Sequence, residues 1–323
     1  MQAIQITKLG GPETLLLTEL ARPEPKAGEA LVRIKVAGVN YVDTYHRTGL
    51  YPVELPFVPG VEAAGVVEAV GEGVTAVKPG DRVAYAGQIG SYAGYAVVPA
   101  ARLVAIPPEL DDQLAAAAML QALTAYLFSH VTYPVQAGEN VLIHAAAGGV
   151  GQLLVQFAKL RGARVIGTVS SEKKAEQALA AGADDVIIYT RQNFTQEVRR
   201  LTDGEGVAVV YDSVGKDTFE GSLDSLKQRG HMVIYGWSSG QITNFNPAVL
   251  NTKGSLYLTT PGVFNFLKDP ALTQESAQQV FKAINSGQLK LKIERTYPLS
   301  EAAQAHRDLE SRATAGKLLL LPE

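Results

Sequence analysis

Hydrophobic positions recur along this chain with two different rhythms. Up to about residue 120 the apolar runs are short, rich in valine and partly alternating: "ALVRIKVAGV", "EAAGVVEAVG", "DRVAYAG" and "YAVVPAARLVAIP". Alternation sends successive side chains to opposite faces of an extended chain, so these runs predict strands, with turns such as "KPGD" (Pro79, Gly80) between them. "DDQLAAAAMLQALTAYLFSHV" then changes character and predicts a helix, with Asp111 or Asp112 as its cap.

From residue 139 strands and helices alternate. "NVLIHAA", "ARVIGTVS", "DDVIIYT", "GVAVVYDSVG", "HMVIYG" and "GSLYLTT" read as strands. "GVGQLLVQFAKLRG", "SEKKAEQALAAG", "NFTQEVRRLTDG" and "KDTFEGSLDSLKQRG" read as the helices between them. Repeated βα units with Val/Ile-rich strands predict a parallel sheet covered by helices on both faces. The tail from about 271 breaks this rhythm with a helix ("TQESAQQVFKAINSG"), a strand ("LKIERTYPL"), another helix and a closing strand ("KLLLLPE"). It is expected to pack back on the first part of the chain.

Composition narrows the classes. A length of 323 residues is long for one hydrophobic core and predicts two domains. The net charge is −3, with Lys and Arg scattered among acids, so no nucleic-acid footprint is expected. No apolar run reads as membrane-spanning and the N-terminus shows no secretory pattern; the expectation is a cytoplasmic protein with no membrane partner. Cysteine is absent, which excludes disulfides, thiol catalysis and Cys-ligated zinc. The five histidines, at 46, 130, 144, 231 and 306, form no local metal motif.

The first strand–helix junction of the alternating region reads "HAAAGGVGQLL". Aligned with the dinucleotide fingerprint G-x-G-x-x-G, it supplies Ala146, Gly148 and Gly151. The second glycine allows a pyrophosphate to approach, the third allows helix to pack on strand, and the helix start offers free N–H groups to the anion. Alanine at the first position predicts a negative φ there. NAD enzymes place an acid near the end of the next strand for the ribose 2′-hydroxyl. Here that end reads "IGTVSSEKK", where Glu172 is followed at once by Lys173 and Lys174. Lys174, with Tyr189 from the third strand, is expected to meet a 2′-phosphate.

A second candidate site is "AGVNYVDTYHRTGLYP", residues 37–52. It gathers Asn40, Asp43, Thr44, Tyr45, His46, Arg47 and Tyr51 at the end of a predicted strand, where turn chemistry alone could also account for Asn and Asp.

That stretch, together with "PGVEAAGVVEAVG", "KPGDRVAY", the glycine loop and "YDSVGKDTFEGSLDSL", resembles the NADPH:quinone oxidoreductases, the zeta-crystallin-like, zinc-independent branch of the medium-chain dehydrogenases, over nearly the whole chain. The resemblance implies an α/β protein with a GroES-like, β-rich catalytic domain over 1–123 and a Rossmann domain with a doubly wound parallel sheet over 124–265. A return segment, 266–323, completes the former. It implies NADPH as cofactor, a quinone as substrate and a homodimer built through the edge strand "GSLYLTT".

Zinc-dependent relatives carry ligands where this chain has Asn40, Val61 and about Leu120, so the resemblance also implies a metal-free site. Asn40, Asp43, Tyr45 and Tyr51 are the implied catalytic residues, with Arg47 near the pocket. The implied cofactor contacts are Asn40, Thr124, Gly148, Gly149, Val150, Lys174, Tyr189, Ser213, Tyr235, Ser238 and Arg312. Thr260 before Pro261 departs from the Arg-Pro of relatives, and Trp237 stands at a variable place. Two other functions fit the same motifs: an NADPH-dependent enone or enoyl-thioester reductase, and a non-catalytic NADPH-binding protein of the crystallin or RNA-binding kind.

Overall fold

The computed structural model describes every residue except 312, 313, 315 and 323. The chain forms two units, Met1–Leu123 with Phe266–Glu323, and Thr124–Asn265.

The first unit is built on a sheet ordered Ile293–Pro298, Lys317–Leu321, Glu29–Val39, Glu62–Val70, Arg82–Ala86 and Val104–Ala105, with Tyr95–Pro99 also paired to Glu29–Val39. The tail enters it directly: Lys317–Leu321 pairs antiparallel with Glu29–Val39, Leu319 opposite Gly38. Alternation in the strands gives each an inner face. Val32, Ile34, Val83, Tyr85, Leu318 and Leu320 meet in one core with Tyr297 and Leu299.

The second unit carries six parallel strands, ordered Asp185–Ile188, Arg164–Val169, Asn140–Ile143, Val207–Asp212, Leu226–Ile234 and Tyr257–Thr259. Numbered along the chain this is the doubly wound order 3-2-1-4-5-6. It places the ligand-binding crevice of such sheets beyond the carboxyl ends of the first and fourth strands, where the winding reverses. Leu142, Ile166, Ile187, Val210 and Met232 form its core with Phe219 and Leu223.

The structure adds to the sequence reading at three places and overturns it at one of them, the helix expected to run to Gly230. The polar stretch after residue 40 is not a turn cluster but a helix, Tyr41–Thr48: Asn40 is extended at its N-cap, Asp43 closes a capping box, and Gly49 ends it at φ 83°. The helix expected to run to Gly230 stops at Ser225, and strand Leu226–Ile234 begins at once. Leu226 pairs with Val207 and is buried in the core, and that burial outweighs helix propensity. Finally, the helical segment Asp112–Thr132, ending in a π-helical turn, is 21 residues long and apolar enough to cross a membrane. Of its apolar 18-residue window 72% is buried, the behaviour of a core helix.

Candidate functional site

Helix Tyr41–Thr48 sorts the polar residues of its stretch into buried and accessible ones. Asn40, Asp43 and Arg47 are buried, whereas Tyr45 is half-buried and Tyr51 is 40% exposed. The Tyr45 and Tyr51 rings meet edge to face, centroids 5.3 Å apart.

Asn40 is held from every side. Its backbone N–H donates to Asp43 Oδ2 at 2.8 Å, as the capping box requires. Its amide oxygen accepts from Lys317 Nζ at 2.6 Å. Its amide nitrogen donates to Glu62 Oε2 at 2.8 Å and to the Gly38 carbonyl at 3.3 Å. Glu62 and Lys317 form an ion pair and are 0% and 1% exposed. The other Glu62 oxygen accepts from Leu120 N–H at 2.5 Å. Position 38 must be glycine, because a Cβ there would fall on the Glu62 carboxylate.

Asp43 anchors a second chain of bonds. Arg47 can only donate, so its 3.1 Å contact with His306 makes Nδ1 of that ring the acceptor. His306 Nε2–H therefore donates to Tyr92 Oη at 3.2 Å, and Tyr92 donates to Asp43 Oδ2 at 2.9 Å. Arg47 also makes a two-pronged bond to Glu310, at 2.7 and 3.2 Å. Burial pushes the Asp43 carboxyl up to about 7 against the opposing pull of its two donors, and burial, aided by the Arg47 charge, pushes His306 down to about 3. The phenol of Tyr92 is pushed up by burial and by Asp43, so it remains a donor.

In the second unit, strand Asn140–Ile143 runs through His144 into a loop and then helix Gly149–Leu160. The N-cap is Gly148 and no side chain caps the helix. Gly149 and Val150 are its first residues, and their N–H groups have no acceptor within the helix. Gly151 must lack a Cβ, which would collide with the Ala145 carbonyl. The left-handed residue of the loop is Ala145, φ 50°, one position before the expected first glycine site.

At the end of the second strand Lys173 is exposed and Lys174 half-buried. Tyr189 is brought alongside: its N–H donates to Val169 O at 3.1 Å, and Thr190 Oγ1 donates to Ser170 O at 3.2 Å. The one acid there, Glu172, is paired with Arg191 at 2.5 Å, a partner that sequence reasoning missed. Ser213, Tyr235 and Ser238 come together past the fourth and fifth strands. Tyr235 N–H donates to Asp212 O at 2.8 Å, and Ser238 N–H to Ser213 O at 3.3 Å. Thr124 is buried in helix Asp112–Leu127. Arg312 lies outside the described residues.

Comparison with known proteins bears on both units. Residues 26–108 match the alcohol dehydrogenase GroES-like domain, and residues 149–264 match the zinc-binding dehydrogenase domain. The quinone oxidoreductase of Pseudomonas aeruginosa is 45% identical over 99% of each chain. The chain belongs to the quinone oxidoreductase family. Another member of its surroundings is a 2-haloacrylate reductase from a Burkholderia species, 41% identical over 100% of this chain and 99% of that one. The solved structure of Escherichia coli quinone oxidoreductase complexed with NADPH superposes with a TM-score of 0.96 at 43% identity, covering 100% of each chain. This chain is thus an oxidoreductase with the medium-chain dehydrogenase fold, a GroES-like domain and a Rossmann sheet.

Zinc, which one of those domain descriptions names, does not fit the donors of this family member. Residues 40 and 120, and Glu62 next to 61, are joined to one another through the Glu62 carboxylate, and Lys317 supplies the positive charge beside it. An amide already bonded on both sides, a valine and a leucine offer zinc no ligand. Sequence reasoning missed Glu62, Lys317, Tyr92 and His306. Their one visible signal is a lysine opening the apolar run "KLLLL".

Proposed function

We propose that this protein reduces quinones with NADPH, without a metal. The observation that carries the cofactor choice is at the end of the second strand. Its only acid, Glu172, is tied to Arg191, which leaves cationic Lys174 rather than a free carboxylate for the adenosine ribose. The loop fits a dinucleotide, since its uncapped helix start and Cβ-free Gly151 make a cradle for a pyrophosphate. Gly148, Gly149, Val150 and Lys174 hold the phosphates in this reading, and Tyr189, Ser213, Tyr235 and Ser238 flank the rest.

When bound, NADPH supplies a hydride. The first unit's residues then have distinct parts. Both hydrogens of the Asn40 amide are engaged within the protein, so Asn40 serves by fixing the start of helix Tyr41–Thr48 rather than by donating to a substrate. Asp43 holds the same helix end. Tyr45 donates a hydrogen bond to the acceptor oxygen and Tyr51 packs beside it. A quinone needs no more than this, because charge added to it spreads over a ring.

NADPH oxidation against a panel of quinones, enones and 2-haloacrylates tests the reading; absence of turnover with every quinone overturns it. Lys174→Ala should weaken NADPH about ten- to a hundredfold with little change for NADH, from a charge-assisted bond of roughly 1.5–3 kcal/mol. A second reading, reduction of an activated C=C bond, is favoured by the 2-haloacrylate reductase among the relatives. It requires a proton donor, so Tyr45→Phe would then cost on the order of 10²–10⁴-fold, against roughly 2- to 12-fold for one neutral hydrogen bond to a quinone. We also infer a homodimer. Tyr257–Thr259 is the edge strand and Tyr257 is 55% exposed on it, a surface that pairing with its twin would cover. Light scattering that finds only monomer at micromolar concentration would count against it.

A further inference from the structure

We propose that His144 is a positioning residue that sets the phosphate loop for the cofactor by locking together the ends of the first, second and fourth strands of the parallel sheet. The proposal rests on that loop being the dinucleotide site. His144 is the last residue before the loop and is 1% exposed. Its Nδ1 lies 2.8 Å from Thr168 Oγ1 on the second strand, and its Nε2 lies 2.9 Å from Ser222 Oγ. Its backbone N–H donates to Tyr211 O on the fourth strand at 3.0 Å.

The chemistry decides the tautomer. Ser222 Oγ gives its hydrogen to Asp212 Oδ2, 3.0 Å away at the end of the fourth strand. The serine oxygen can therefore only accept from the ring, so Nε2 carries the hydrogen. Nδ1 is then an acceptor and Thr168 donates to it. The result is one directed path: Thr168 to His144 to Ser222 to Asp212. The His144 and Phe194 rings pack edge to face, centroids 4.9 Å apart, a contact that further favours this orientation of the imidazole.

Two consequences fall on the loop. The residue after His144 is Ala145, in the left-handed region at φ 50°, a conformation that a side chain adopts only when its surroundings impose it. Ala145 O then accepts from Gly148 N–H at 2.8 Å, and Ala146 N–H donates to Thr168 O at 3.2 Å. The loop is thus pinned at its root by the imidazole and along its length by the second strand. A ring that floats would let Ala145 relax and turn the N–H groups of Gly149 and Val150 away from an anion. Neither ring nitrogen is left for a ligand, so the role is positional.

The test compares His144→Ala with His144→Gln, whose amide offers one donor and one acceptor as the neutral ring does. KM and kcat are measured with NADPH and NADH, and melting temperature checks folding. His144→Ala is expected to raise KM by about tenfold, the scale of two lost hydrogen bonds, and by the same factor for both cofactors, because the pyrophosphate is common to them. The maximal rate should fall far less, and His144→Gln should recover part of the loss. If His144→Ala does not fold, Thr168→Val and Ser222→Ala keep the ring and should each raise both KM values about threefold. A folded His144→Ala with unchanged KM, or a loss confined to NADPH, overturns the proposal while leaving the loop as the cofactor site. Failure of the unmutated protein to bind either nucleotide overturns both.

Discussion

Each unit buries a polar network next to its candidate site, and the two are built on opposite electrostatic principles. The first unit buries full charges: Lys317 against Glu62, and Arg47 reaching Asp43 through His306 and Tyr92. The second buries one carboxylate, Asp212, and satisfies it with dipoles. Val214 and Gly215 donate backbone N–H to one oxygen at 2.7 and 3.0 Å, and Thr218 and Ser222 donate hydroxyls to the other at 2.7 and 3.0 Å. A network of charges has few members, each irreplaceable. A network of dipoles divides the same task among several and tolerates the loss of one.

Removing a charge should therefore do the most damage. Lys317→Met leaves the Glu62 carboxylate buried with only Asn40 and Leu120 as donors. One-sided breakage of a buried pair costs about 3–5 kcal/mol, read as a lowered urea midpoint. Adding Glu62→Gln should restore much of it, since a neutral amide in that pocket no longer needs a cation. A Lys317→Met protein as stable as its parent would show that the pair is not what holds this region.

The next effect is a pH dependence with two opposed slopes. Asp43 titrates at about 7 when folded against 3.8 in the free side chain. Between those values the folded chain holds a proton that the unfolded chain has lost, so this group makes stability fall as pH rises from about 4 to about 7. His306 titrates at about 3 when folded against 6.5. There the unfolded chain binds the extra proton, so its contribution is present above 6.5 and is lost as pH falls towards 3. The two slopes oppose each other across their common window. Asp43→Asn should remove the first, so that stability relative to the parent rises with pH between 4 and 7. A constant difference between parent and variant over that range would mean that Asp43 is ionised throughout.

How much of this was legible beforehand follows the same division. The parallel sheet was readable because its determinants are local: each Val/Ile run is followed by an amphipathic helix, and the glycine loop sits where the first strand ends. Helix Tyr41–Thr48 was missed because its core is polar; the Asn40–Asp43 capping-box spacing was its only local mark. The charged network was not readable at all. Lys317 meets Asn40 across 277 positions and Glu62 across 255, and nothing in "PGVE" or "KLLLL" names the other. In the second unit the Asp212 network was half visible, since "YDSVGKDTFEGS" holds Asp212, Thr218 and Ser222 within one turn and helix start. Its link to His144 depends on strand order.

The smallest effect should come from the dipolar network. Thr218→Val removes one of the four donors to Asp212 while keeping the volume of the side chain. The two N–H groups and Ser222 remain, and the carboxylate is still met on both oxygens. A hydrogen bond to a charged group contributes roughly 1.5–3 kcal/mol when it is the sole partner. With three donors left to close around the same oxygens, the expected loss is about 1 kcal/mol, near the neutral-bond value. The Thr218 hydroxyl also lies 3.1 Å from Gly215 O, but its one hydrogen goes to the nearer Asp212 oxygen, and the turn keeps its own bond from Thr218 N–H to Gly215 O. The decisive quantity is the ratio of this loss to that of Lys317→Met, measured under the same conditions. A ratio near one would mean that Asp212 depends on each donor as Glu62 depends on its lysine, and the contrast between the two units would collapse.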